Sequence, residues 1–218
     1  MMLFNVNSSE NKEGRGKALG FLKENSYDIV RLFVNQIGIN LFALVLYTAL
    51  NVFENKDTAL GVRIAMSVFA TGFYLVLLYT AAWEYGAKDR IRVDSGRYAH
   101  KPGKGALMSL IANIPNLLLA VPAVIFMIIH MTAGNEVLYS AFVVLNTLIR
   151  FTSSMYLGIL QGAFIAFEAS TNLYFLLQTV GYAIVPAFAI LSTHIGYSLG
   201  MKELRISALL FKSNSKKQ

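Results

Sequence analysis

Cysteine is missing altogether from these 218 residues. Its absence excludes disulfides, thiolate-held metals, iron–sulfur clusters, c-type haem attachment and a cysteine nucleophile. Charge is scarce as well. Asp, Glu, Lys and Arg make up 14% of the chain, against about 25% in a soluble domain. So thin a polar coat argues against an ordinary cytosolic enzyme, and so apolar a chain cannot be disordered. Histidine occurs only three times, with no H-E-x-x-H and no Glu-x-x-His spacing, so a helical metal site is not expected.

What remains is apolar. Hydrophobic residues make up 56% of the sequence, and the mean hydropathy is +0.53. At about 20 residues per crossing, the chain has room for six spans joined by short loops. The fold class expected is all-α: a polytopic integral membrane bundle of about six transmembrane helices. The net charge of +7 then reads as basic loops lying on anionic lipid, not as a nucleic-acid surface.

Residues 1–31 form an N-terminal arm without the apolar core and small-residue cleavage site of a secretory signal. Leu19, Leu22, Ile29, Val30 and Phe33 recur at helical spacing there, which predicts a short interfacial helix. The six-span domain is expected over 32–200. Its crossings fall at about 32–53, 60–83, 106–131, 134–149, 154–170 and 173–199, the last three separated only by Arg150 and Glu168. A long basic loop occupies 84–105, and a basic tail 201–218.

Six crossings place both chain ends on one face. That face would carry all Lys and Arg except Lys56 and Arg63, so the positive-inside rule predicts N-in/C-in in the cytoplasmic membrane of a bacterium. A five-span alternative strands one basic end outside and buries Arg150 inside a helix, at a cost of a few kcal/mol or more. Arg150 is therefore expected in a cytoplasmic turn, Arg-Phe-Thr-Ser-Ser.

Three groups of residues are candidates for function. Asn40 and Asn51, eleven apart, share one face of the first span. The third span contains Asn113, Pro115, Asn116 and Pro122, and the sixth Tyr182, Pro186 and His194. Each proline removes a backbone donor and frees the carbonyl four residues earlier. Transporters place such broken helices at substrate sites, although a simple kink gives the same pattern. Asn40, Asn51, Asn113, Pro115, Asn116, Tyr182, Pro186 and His194 are thus the expected ligand path. Gly158 and Gly162, and Gly196 and Gly200, are spaced four apart. Such ridges let another helix backbone approach, within the chain or across a dimer. Arg90, Arg92, Arg97, Lys101 and Lys104 are interleaved with glycine in the long loop, and could dock an anion or a partner.

The functional expectation is a small permease or the membrane subunit of a transport complex, not an enzyme, with no cofactor or metal. The alternative is a membrane scaffold, assembly or immunity factor that moves no substrate. Expected partners are anionic lipids at the cytoplasmic face, with a cytoplasmic protein or a second copy of the chain as further options, and no nucleic acid.

Overall fold

A computed structural model describes residues 3–49 and 56–204, with side chains from 18 to 49 and from 58 to 204. Asn51 lies outside the described residues, as does the tail beyond Leu204. Every element among them is helical: α1 (Leu3–Ala49), α2 (Lys56–Asp94), α3 (Lys104–Ala133), α4 (Glu136–Thr152), α5 (Leu157–Phe164), α6 (Thr171–Ile184) and α7 (Pro186–Met201). Single 3-10 turns at Ser154–Tyr156 and Ile165–Phe167 flank α5. The expected interfacial helix has no break separating it from the first span, because α1 is continuous through residue 31.

Four stretches are long and apolar enough to cross a membrane: Ala18–Ala49, Thr58–Asp94, Lys104–Ala133 and Thr171–Met201. The last combines α6 and α7. α4 and Ser154–Phe167 qualify only as a pair, and they meet at 87°. Counting that pair as one span gives five, not the six separate crossings expected from hydropathy. The physical reason is length. The chain leaves helical geometry at Ser153 (φ −134°, ψ 29°), and α5 has only 8 residues. Eight residues rise about 12 Å, well short of a hydrocarbon core about 30 Å thick.

Local sequence explains the other boundaries. Gly134 ends α3 in the left-handed region (φ 65°), its N–H returning to the His130 carbonyl at 2.9 Å. A glycine carries no Cβ penalty there. The next helix starts at once, because Asn135 caps α4 by accepting from the Leu138 N–H at 3.1 Å, with Glu136 in the first turn. Pro115 and Pro122 sit inside α3 without interrupting it, so the expected break in the third span does not occur. Nor does a break occur at Pro186: α6 stops at Ile184 and α7 starts at Pro186, but Val185 between them keeps helical angles (φ −55°, ψ −30°), and the two form one candidate span, Thr171–Met201.

Side-chain contacts fix the relative depth of the helices. Lys104 at the start of α3 meets Asp89 late in α2, so α3 runs back antiparallel to α2. Ser192 donates to the Leu75 carbonyl at 2.7 Å, Gly196 lies on Tyr79 and Gly200 on Trp83. Both sets of numbers rise together, so α7 runs parallel to α2. One end of the bundle, the basic end, therefore holds the loop 95–103 and the close of α7. The far end holds the close of α1 and the starts of α2, α4 and α6.

Burial is inverted relative to a soluble domain. Val68, Phe69, Leu118 and Phe188 are exposed. Asn25, Gln36, Asn40, Asn113, Gln178 and Thr193 are buried. Aliphatic side chains outside and small or amide side chains inside are what a lipid solvent selects.

Candidate functional site

The bent pair is the least regular part of the bundle, and it is held at its turn by three helical residues of α1 and α2. The Asn40 amide donates to the Thr152 carbonyl and accepts from the Met155 N–H at 3.3 Å. Its own backbone carbonyl accepts from the Ser154 hydroxyl at 2.5 Å. Thr71 donates to the Met155 carbonyl at 3.3 Å, and the Gly158 N–H donates to the Ser67 hydroxyl at 2.7 Å. Polar groups released by the bend thus find partners without water, as a buried backbone requires. Asn40 lies nine residues before Ala49, or about 14 Å, nearly half of a hydrocarbon core about 30 Å thick.

From that depth α5 returns to the far end. Gly158 lies on the Arg63 carbonyl and Gly162 on Ile64, while the Tyr47 hydroxyl donates to Gln161. α4 also starts at the far end, where His130 and Tyr139 rings pack at 4.5 Å. The pair therefore enters and leaves at the same end of the bundle.

Two arginines sit beside it. Arg150 donates from Nη2 to Gln178 Oε1 at 2.9 Å and lies 5.4 Å from the Phe175 ring centroid. Arg63 lies 4.9 Å from the Tyr47 ring centroid. Neither is ion-paired to a described carboxylate. Arg63 Nε, Arg150 Nε, Gln178 Nε2 and the Tyr182 hydroxyl are all buried without a hydrogen-bond partner among the described residues. Arg150 therefore does not occupy the solvated turn predicted from sequence; it faces α6, and its turn packs on α1 and α2.

The expected path residues fall in several places. Asn40 is committed to the bent pair. Asn113 is buried and donates to the Ser109 carbonyl of its own helix at 2.9 Å. Pro115 is exposed and Asn116 buried on the same helix. Tyr182 and Pro186 are buried at the α6–α7 junction. His194 instead lines a cavity of about 430 Å³ at the basic end, with His100, Pro102, Tyr197, Ser198 and Lys202. Gly196-Tyr197-Ser198-Leu199-Gly200 has the letters of a nucleophile elbow, but it lies inside α7, without the strand-to-helix turn that exposes such a serine.

The glycine ridges meet other helices of the same chain. A Cβ at Gly158, Gly196 or Gly200 would strike the backbone carbonyl of Arg63, Tyr79 or Trp83. At Gly162 it would meet only the Ile64 side chain, 2.5 Å away. Gly86 and Gly105, outside the expected ridges, seat α7 equally closely.

Most of the basic loop is neutralised internally. Lys104 and Asp89 pair at 2.6 Å with side chains 3% and 4% exposed. The same carboxylate accepts from the Tyr197 hydroxyl at 2.9 Å and faces Arg92 at 3.6 Å. Arg90 pairs with Asp94 at 2.9 Å and donates to the Met201 carbonyl at 3.0 Å. Lys101 reaches Glu24 at 3.4 Å, and the Tyr98 side chain, whose ring centroid lies 4.9 Å from its ammonium, with Glu24 holds it above the ordinary lysine range. Arg97 is exposed. Among the described residues no three His, Asp or Glu side chains gather closely enough to hold a metal ion.

Sequence reasoning missed Arg63, Arg150, Gln178 and Tyr47 as one polar neighbourhood. The available signal was Arg150 itself, alone in an apolar run from 137 to 167. No protein-family model, curated protein or solved structure matches this chain.

Proposed function

We propose that the chain is a multi-pass protein of the cytoplasmic membrane with a transport role, as a small permease or the membrane subunit of a transport complex. In this reading α1, α2, α3 and α6–α7 cross the bilayer, and α4–α5 is a re-entrant hairpin. Four crossings, like six, put both ends on one side, so the arrangement remains N-in/C-in with the basic end cytoplasmic. The basic end, with Arg97 outermost, rests on anionic lipid. No catalytic step is part of this reading.

The bent pair carries the proposal. Irregular backbone at mid-depth is tolerated only where it is buried in protein or lines a watered cavity, and transporters place it at the solute site. A hairpin turning near the midplane, beside a span that loses a backbone donor at Pro186, fits that use. The competing scaffold reading has less support, since the close glycine contacts are spent inside the chain.

Solute identity is not needed for a test. Because the chain has no cysteine, Ser153→Cys introduces a single reporter at the turn. A small, membrane-impermeant thiol reagent should label it in intact membranes from the side that labels Glu136→Cys. No labelling from either side, with Glu136→Cys labelled normally, would show a sealed core and leave the scaffold reading in place.

A further inference from the structure

The orphaned polar atoms around the bent pair share a chemical sense. Arg63 Nε and Arg150 Nε are N–H donors, and the Tyr182 hydroxyl can donate. Gln178 Oε1 is occupied by the Arg150 guanidinium, so the group left over is its NH₂, again a donor, which faces the Tyr174 hydroxyl without a well-formed hydrogen bond. Among the described residues of this neighbourhood the unpartnered acceptors are the oxygen of that same Tyr182 hydroxyl and Gln36 Oε1 on α1, one turn before Asn40, so donors outnumber acceptors.

Geometry gathers three of them. Gln178 and Tyr182 are four residues apart on α6, hence on one face, and both are buried, 0% and 2% exposed. Arg150 reaches that face from α4. Its charge also acts on the hydroxyls of Tyr47, Tyr174 and Tyr182, and Arg63 acts on Tyr47 as well. A cation held inside apolar helices without a carboxylate is costly and marks a site by default. Donors without acceptors, around a guanidinium fork, are the complement of an oxyanion.

We propose that Arg150, Gln178 and Tyr182, with Arg63 supplying further positive charge, bind the carboxylate or phosphate group of an anionic ligand beside the re-entrant hairpin. The proposal deepens the transport reading by assigning its solute a negative charge. Gln178 is the positioning residue: it orients the Arg150 fork and adds its own N–H. The one described carboxylate whose charge reaches this cluster, Glu168, acts on Tyr174 but is exposed and ion-pairs with neither arginine, so the ligand completes the site.

The test uses the full chain in a neutral detergent, titrated with sodium phosphate or sodium acetate at an ionic strength held constant with sodium chloride. At least one of the two oxyanions should raise the unfolding midpoint saturably. Arg150→Gln should weaken that response about tenfold or more, the scale of a charge-assisted hydrogen bond, and Arg150→Lys should keep part of it. Gln178→Glu puts a carboxylate against Arg150 and should fill the site from within: the ligand-free midpoint rises and the oxyanion response disappears. This variant keeps the test decisive if Arg150→Gln does not fold. A wild-type midpoint indifferent to both anions, or a Gln178→Glu response equal to wild type, would overturn the proposal.

Nanodiscs separate a headgroup from a free solute. If phosphatidylglycerol added to phosphatidylcholine discs removes the phosphate response, the bound anion is a lipid headgroup; an unchanged response assigns the site to a soluble anion. The underlying transport reading fails separately. An oxyanion response lost in Gln178→Glu, together with an unlabelled Ser153→Cys, keeps the anion site and removes the transport path. A labelled Ser153→Cys with no oxyanion response does the opposite.

Discussion

Two buried charged groups of this bundle are treated in opposite ways, although the Tyr85 and Tyr98 hydroxyls and His194 Nδ1 at the basic end also have no partner among the described residues. At the basic end, Asp89 is enclosed by Lys104, Tyr197 and Arg92, so its charge is answered from α2, α3 and α7. Around the bent pair, Arg150 has one glutamine and an aromatic ring, and four donors have no partner among the described residues. A satisfied buried network rigidifies its surroundings, whereas an unsatisfied one is high in energy until something fills it. The same helices thus provide a clamp at the basic end and a receptive site around the bent pair.

The contrast can be broken most forcefully at the clamp. Lys104→Met leaves Asp89 buried with its nearest cation removed, and should cost about 3–5 kcal/mol, read as a large fall in the detergent unfolding midpoint. Survival of the midpoint would mean that Arg92 alone can hold the carboxylate. Next comes the glycine packing. Gly158→Ala drives a methyl into the Arg63 backbone and should cost about 2–3 kcal/mol, while Gly162→Ala meets a side chain that can turn away and should cost under about 1 kcal/mol. Equal losses at both positions would show that the α2–α5 contact is looser than described.

The smallest expected effect is the sharpest comparison. Tyr197→Phe removes a hydroxyl bonded to a charged carboxylate and should cost about 1.5–3 kcal/mol. Tyr182→Phe removes a hydroxyl with no partner, so in anion-free buffer its midpoint should stay within about 0.5 kcal/mol of wild type or rise. A Tyr182→Phe loss matching that of Tyr197→Phe would place both hydroxyls in the same satisfied state.

Hydropathy made the helical class and the long apolar helices legible, because lipid imposes a single-chain length rule. It failed between 134 and 170, where the residues are apolar in either geometry. The position of the bend was readable from Arg-Phe-Thr-Ser-Ser. Its depth was not, since that depends on Asn40 and Ser67, more than 80 residues away in sequence. Equal spacing likewise put Gly158 and Gly162 on the same footing, although only the partner helix decides which faces backbone. Asn40 was singled out as a polar residue in the first span, but its partners are main-chain groups of a loop that no periodicity reveals. Of the basic loop's neutralising residues, Asp89 lies within 84–105 and its pairing was readable, whereas Glu24 comes from α1, 77 residues from Lys101.

The parallel seam between α2 and α7 has a consequence for biosynthesis. α2 emerges from the ribosome early, yet the surfaces around Tyr79, Trp83 and Gly86 wait for Ser192, Gly196 and Gly200. Until α7 is translated, α2 keeps its close-approach groove open and Asp89 lacks its tyrosine. A nascent chain halted before that point would display a polar, unclosed helix to the insertion machinery and to membrane proteases.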